Sequence, residues 1–136
     1  MAGDRQGRQA AIAEAELVAE NGGDAESQAI VGAQRLALLV LDLLAVEALD
    51  AAPEAIARAR AAGRDDLLAL CLNYLGCAQV LRGDDGGMAA LRESLALALR
   101  VGDDVVAARA YINIAYVLWL LARQDELDAV LADGLA

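Results

Sequence analysis

Four short clusters of glycine and aspartate interrupt an otherwise continuous helical pattern: Asn21-Gly22-Gly23-Asp24, Gly63-Arg64-Asp65-Asp66, Gly83-Asp84-Asp85-Gly86-Gly87 and Gly102-Asp103-Asp104. Between them apolar residues recur at helical spacing and β-branched residues are few, so strands find no support. Glycine supplies the left-handed residue that ends a helix, and aspartate then accepts the free N–H groups that open the next one. Stop and start signals therefore sit side by side. The spacing predicts helices near 6–21, 25–45, 47–62, 66–82, 87–101, 104–122 and 124–135. Nothing breaks the pattern from Leu44 to Asp50, and Pro53 is tolerated in a first helical turn, so the third helix starts near 47 or near Ala52. Loops this short join only antiparallel neighbours.

The helices repeat. A shift of 39 residues aligns Ala69, Leu72, Leu75 and Gly76 with Ala108, Tyr111, Ile114 and Ala115. With one inserted residue, Ala89, Leu91, Leu95 and Ala96 align with Ala129, Leu131, Leu135 and Ala136. Backwards, the same shift pairs Leu95 with Ile56 and Gly102 with Gly63. The reading is a single all-α domain over residues 1–136, with a lead helix at about 6–21 and helix-hairpin repeats at about 25–62, 66–101 and 104–135. No hairpin buries its apolar face alone, so neighbours must stack as in an α-solenoid.

Composition narrows the function. The chain of 136 residues is 59% hydrophobic, enough to bury a core without a disulfide or metal staple. It contains no His, Lys, Thr or Phe. Without imidazole there is no Ser-His or Cys-His pair and no His metal ligand, so neither a catalytic residue nor a cofactor is expected. The formal net charge of −10 repels nucleic-acid phosphates and anionic membrane surfaces. The longest apolar runs, Leu36 to Leu41 and Ile114 to Ala122, are far too short to span a bilayer. Met1 to Gln9 is polar and lacks the pattern of a secretion signal. Cys71 and Cys77 stand six apart in one helix, on different faces, and read as reduced core thiols of a cytoplasmic protein. Sole use of Arg for positive charge, with excess Ala, Gly, Asp, Val and Leu, is the habit of a GC-rich bacterial genome. The pairs Asp65-Asp66, Asp84-Asp85 and Asp103-Asp104 lack the alternating spacing of a calcium loop and read as helix caps. Gly83 to Gly87 lacks a phosphate-cradle pattern and reads as a helix-helix turn.

The stretch Leu72-Asn73-Tyr74-Leu75-Gly76, followed by Leu81-Arg82-Gly83-Asp84, Leu91 and Ser94-Leu95, resembles the tetratricopeptide repeat. In that family a large apolar residue with Leu-Gly packs the first helix, and a large residue with a small-Leu pair packs the second. Gly76, without a Cβ, lets the two helices approach closely. In the last unit Ala115 replaces this glycine and Gly134 occupies the usual alanine position, which implies slightly wider helix spacing. Residues 65–136 are similar, more narrowly, to the helical-repeat region of ATP-dependent bacterial transcriptional regulators of the LuxR and MalT-like type. That resemblance implies a fragment of such a regulator or a free-standing relative. The family's ATPase and DNA-binding activities do not carry over, since neither a Gly-x-x-x-x-Gly-Lys motif nor a basic recognition helix is present.

The resemblance also implies that first helices line a concave groove that takes a protein or peptide partner. Groove positions by alignment are Leu70, Asn73, Cys77 and Val80 in one unit and Arg109, Ile112, Asn113, Tyr116 and Trp119 in the next. Asn73 and Asn113 either bridge a bound backbone or bond helix carbonyls and solvent. With Arg109 the only cation there, a carboxylate clamp is not expected. Tyr111, Ile114, Leu118 and Leu121 follow core spacing, and Trp119, off that stripe, is the interface candidate. The stripe through Leu127, Val130, Leu131 and Leu135 runs on without the polar capping helix that closes a solenoid. Self-association through the C-terminal helix, or pairing with downstream sequence, is the expectation. A free-standing adaptor and a small-molecule sensor are the alternatives.

Overall fold

The computed structural model describes residues 2–136. Seven helices follow one another: α1 (Ala2–Gly22), α2 (Ala25–Leu41), α3 (Ala45–Ala61), α4 (Asp65–Leu81), α5 (Gly86–Val101), α6 (Asp104–Leu120) and α7 (Gln124–Leu135). The fold is all-α. Each helix packs on its sequence neighbours, and in addition α2 touches α4 and α4 touches α6. Among the described residues, α1, α3, α5 and α7 do not pack backbone to backbone on one another, and long side chains bridge the gaps between them, as in the Arg58–Glu20 and Arg92–Glu126 ion pairs at 3.5 and 3.4 Å. The helices thus form two layers: first-type helices α2, α4 and α6 side by side, and second-type helices α1, α3, α5 and α7 spaced apart behind them.

One turn recurs five times. Leu43, Gly63, Gly83, Gly102 and Ala122 each have a positive φ, between 53° and 73°. At each, that residue's N–H bonds a carbonyl three residues back and the next N–H bonds one five residues back, as in Leu43 to Val40 and Leu44 to Leu39. This is the Schellman arrangement that satisfies a helix's last carbonyls. Three of the five positions are the glycines whose clusters mark the breaks. The other two are not glycine, which is why the α2–α3 break was illegible. It falls at Asp42–Leu44, so α2 stops four residues before the expected 45, and neither start considered for the third helix is right. α3 begins at Ala45 and carries Pro53 in its interior, on the exposed face, not in a first turn. A left-handed residue with a Cβ is strained by roughly 1 kcal/mol. Leu43 and Ala122 are exposed, so nothing packed is lost on truncation. Leu43→Gly and Ala122→Gly are each expected to stabilise the fold by about 1 kcal/mol in urea denaturation, whereas Gly63→Ala should cost a similar amount.

Aspartates open several helices as expected. Asp24 Oδ1 accepts from the Ser27 N–H at 2.8 Å, Asp103 Oδ1 from Val106 at 3.0 Å, and Asp84 Oδ1 from Gly86 at 2.8 Å. Asp65 and Asp66 instead lie inside the first turn of α4, after an Arg64 cap that lacks a side-chain bond. There they favour the positive helix end, and Asp66 accepts two bonds from the Arg64 guanidinium, which lowers its pKa.

The core is built from small residues at crossings and large ones between them. Ala29, Ala33, Ala48, Ala52, Ala59, Ala69, Ala78, Ala98 and Ala110 have no exposed surface, and Leu36, Leu91, Ile114 and Leu118 fill the spaces. The tightest approach joins α4 and α5. A Cβ on Gly76 would lie 2.7 Å from Leu91 Cγ and 2.8 Å from the Gly87 carbonyl oxygen. A Cβ on Gly87 would lie 2.7 Å from the Gly76 oxygen and 2.9 Å from the Val80 nitrogen. Gly87, read from sequence as part of a turn, is thus the reciprocal half of the Gly76 contact. In the last hairpin the small residue has changed helix, and Gly134 sits against the Tyr111 ring, where a Cβ would stand 3.0 Å from Cγ.

Candidate interaction face

α6 buries Val106, Ala107, Ala110, Ile114, Val117 and Leu118 against α4, α5 and α7. Its opposite face carries Val105, Ala108, Ile112, Tyr116 and Trp119 at steps of three or four residues, which keeps them on one stripe. Val105 is 69% exposed, Ile112 68%, Tyr116 58% and Trp119 63%. The Tyr116 and Trp119 rings stack with centroids 6.1 Å apart. Asp104 and Arg109 are the only charged residues on this helix, in a chain of net charge −10. No helix among the described residues is long and apolar enough to cross a membrane.

The same stripe occurs once more, covered. Shifted by 39 residues, Ala108, Ile112, Tyr116 and Trp119 become Ala69, Asn73, Cys77 and Val80 of α4. There α6 lies on top. Asn73 is fully buried, and its Oδ1 accepts the Asn113 Nδ2–H at 2.8 Å. Arg109 Nη1 donates to the Tyr74 hydroxyl at 2.7 Å, with its guanidinium 5.7 Å from the Tyr74 ring centroid. Ala69 packs with Val106 and Ala107, and Cys77 and Val80 pack with Ile114, Val117 and Leu118.

This geometry divides the residues singled out from sequence. Asn73 does not line an open groove, because the following first-type helix covers it, and the two asparagines bond each other rather than a helix carbonyl or a bound backbone; Cys77 is half-buried beside it. Asn113 and Arg109 are half-buried members of the same polar seam. Tyr116 and Trp119 are brought together on the open face, and so is Ile112. Tyr111, on the core-spaced stripe, is half-buried, and its hydroxyl donates to Asp133 at 2.6 Å within the α6–α7 hairpin. Leu121 is exposed, since it follows the last turn of α6 rather than continuing its core stripe. On α7, Leu127 and Val130 are used against α6, leaving Leu131 and Leu135 exposed. Val105 and Ala108 were missed from sequence, although the spacing that joins Ile112 to Tyr116 and Trp119 extends back to both.

The seam is chemically quiet. Burial pushes the Cys77 thiol up to about 11 and the Cys71 thiol up to about 12, so both are protonated at neutral pH and poor nucleophiles. Burial also raises the Tyr74 pKa, against the opposing pull of Arg109. Asn73 Nδ2 and Arg109 Nε are buried without a partner, which makes the seam the least satisfied part of the interior. Because the folded-state thiol pKa values lie above the unfolded value of about 8.5, the unfolded chain loses these protons first. Their stabilisation is complete below about pH 8.5 and is lost as pH rises through the folded values. The melting temperature is expected to fall above about pH 9, and less steeply in Cys77→Ala. Equal slopes for the two proteins would exclude this origin.

At the other end of the layer, a cleft of about 330 Å³ lies between α1, α2 and the start of α3, lined by Ile12, Glu16, Arg35, Leu38 and Leu39 among others. Arg35 and Glu16 form an ion pair at its side, 3.1 Å apart. Nearby, the buried Asp42 carboxylate accepts from Arg8 at 3.0 Å and ties α1 to the α2–α3 turn.

No family model matches the chain, and no curated protein or solved structure matches it with significant similarity.

Proposed function

We propose that the protein is a non-catalytic interaction module, a tetratricopeptide-like array whose open face on α6 receives a protein partner. One observation carries this reading: the stripe Ala108, Ile112, Tyr116 and Trp119 is exposed on α6, while of its repeat equivalents on α4 Ala69 and Asn73 are fully buried and Cys77 and Val80 half-buried against neighbouring helices. A contiguous exposed apolar stripe with two stacked aromatics has the composition of an interface centre. The two-layer arrangement and the Gly76–Leu91 approach support the tetratricopeptide-like assignment. The resemblance to LuxR and MalT-type regulators supports a setting in bacterial cytoplasmic transcription control, and a free-standing adaptor is the same reading outside that setting. The acidic surface disfavours nucleic acid and anionic membranes as direct partners.

The test is a photo-crosslinking amino acid placed at Ile112 and, as a control, at the exposed Glu93 of α5, in cells that express the protein. Defined protein adducts from position 112 and none from 93 are expected. Equal labelling from both positions, or none from 112, overturns the reading.

The α1–α2–α3 cleft favours a second reading, a small-molecule sensor, because its volume reaches the lower end of the ligand-pocket range of about 300–1,000 Å³. Thermal shifts across a metabolite panel test it, with the Arg35→Ala variant expected to lose any shift that arises in this cleft.

A further inference from the structure

The exposed stripe of α6 is centred on Ile112. Four residues to either side stand Ala108 and Tyr116, and seven to either side stand Val105 and Trp119. The small members occupy one half and the large aromatics the other. A helix presenting the same stripe in the opposite direction would set Tyr116 against Ala108, Trp119 against Val105, and Ile112 against its own copy. A parallel pairing would crowd aromatic on aromatic at one end and leave small residues facing across a gap at the other. The stripe is therefore complementary to itself in the antiparallel sense alone, which is the requirement of a two-fold interface.

Continuation head to tail is blocked by the fold itself. Second-type helices α3 and α5 each touch the first-type helix that follows them, and α1 touches α2 in the same way. A preceding copy that extended the array onto α2 would place its α7 in the seat that α1 already holds. The open end of the layer thus cannot be closed by the opposite end of another copy.

We propose that the protein forms a two-fold homodimer in which α6 of one copy packs antiparallel on α6 of its partner, with Ile112 on the axis. The proposal deepens the interaction reading and rests on it. The chain exposes 7630 Å², about 900 Å² above the roughly 6,700 Å² of a compact 14.1 kDa monomer. One partner in a standard interface contributes about 800 Å². With a charge of −10 on each copy, association is expected to tighten several-fold as salt rises from about 0.05 to 0.5 M, since screening removes long-range repulsion while the contact itself is apolar.

Sedimentation of the full chain at about 50 µM is expected to give a dimer, with the emission of Trp119, the only tryptophan, shifting to the blue as concentration rises. Ile112→Glu should weaken the dimer roughly 30-fold or more with unchanged helical circular dichroism. Ile112→Cys should form a 112-to-112 disulfide dimer on mild oxidation, and mixed Val105→Cys and Trp119→Cys chains should cross-link to each other, each failing alone. A strict monomer at high salt, or a dimer unaffected by Ile112→Glu and cross-linked instead through Leu131→Cys on α7, overturns the proposal. A photo-adduct from Ile112 with only a different protein overturns the dimer and leaves the interaction reading standing.

Discussion

Adding one methyl group at position 76 is expected to destabilise the fold by about 2–3 kcal/mol, at the upper end of the overpacking range. Gly76→Ala would place its Cβ 2.7 Å from Leu91 Cγ and 2.8 Å from the Gly87 carbonyl oxygen. Leu91 is fully buried and cannot swing away, and the carbonyl belongs to a helix backbone, so α4 and α5 must separate. Gly87→Ala meets the Gly76 oxygen and the Val80 backbone nitrogen and should cost as much. Because either change forces the same separation, the double variant should cost clearly less than the sum. Denaturation midpoints in urea give the three values. Additive costs would show that the two glycines do not share one contact. Alanine at both positions raises helix propensity, so a propensity argument alone predicts the opposite sign.

Leu118→Ala is the second large effect, a loss of roughly 3 kcal/mol from an emptied, fully buried site, concentrated at one end of the chain. Leu118 packs with Leu91, Ile114, Val117 and Leu127, and Leu127 is the only buried residue that α7 contributes. In an array where each unit touches only its neighbours, the damage stays local. Amide exchange should therefore accelerate across α7, from Gln124 to Leu135, while α2 and α3 keep their protection. Leu36→Ala, in the separate cluster formed by α2, α3 and α4, should show the converse. Uniform acceleration along the whole chain in either variant would mean that the domain unfolds as one cooperative block.

Helix number and type were legible because the apolar period and the glycine clusters are both local signals. Where the left-handed residue is a Leu or an Ala there is no such signal, and the α2–α3 break was misplaced accordingly. Gly76 could be read as a packing residue from its place in a motif. Gly87 could not, because it sits in a run of turn-like residues and its role depends on α4 crossing at that point. The candidate face was legible in part. The alignment put Asn73, Cys77, Tyr116 and Trp119 on equivalent positions, but equivalence along the chain carries no information about which copy of the face has a helix above it.

Seven helices, their hairpin pairing and a repeat near 39 residues follow from periodicity and from turn chemistry within a few neighbouring residues, and are therefore written in the chain. Which faces are filled depends instead on how the helices stack. Stacking places α6 over the α4 stripe, buries Asn73 against Asn113, and leaves nothing over Ile112, Tyr116 and Trp119. Burial is a property of the neighbours a helix acquires, and the last first-type helix of the described array acquires none on that side.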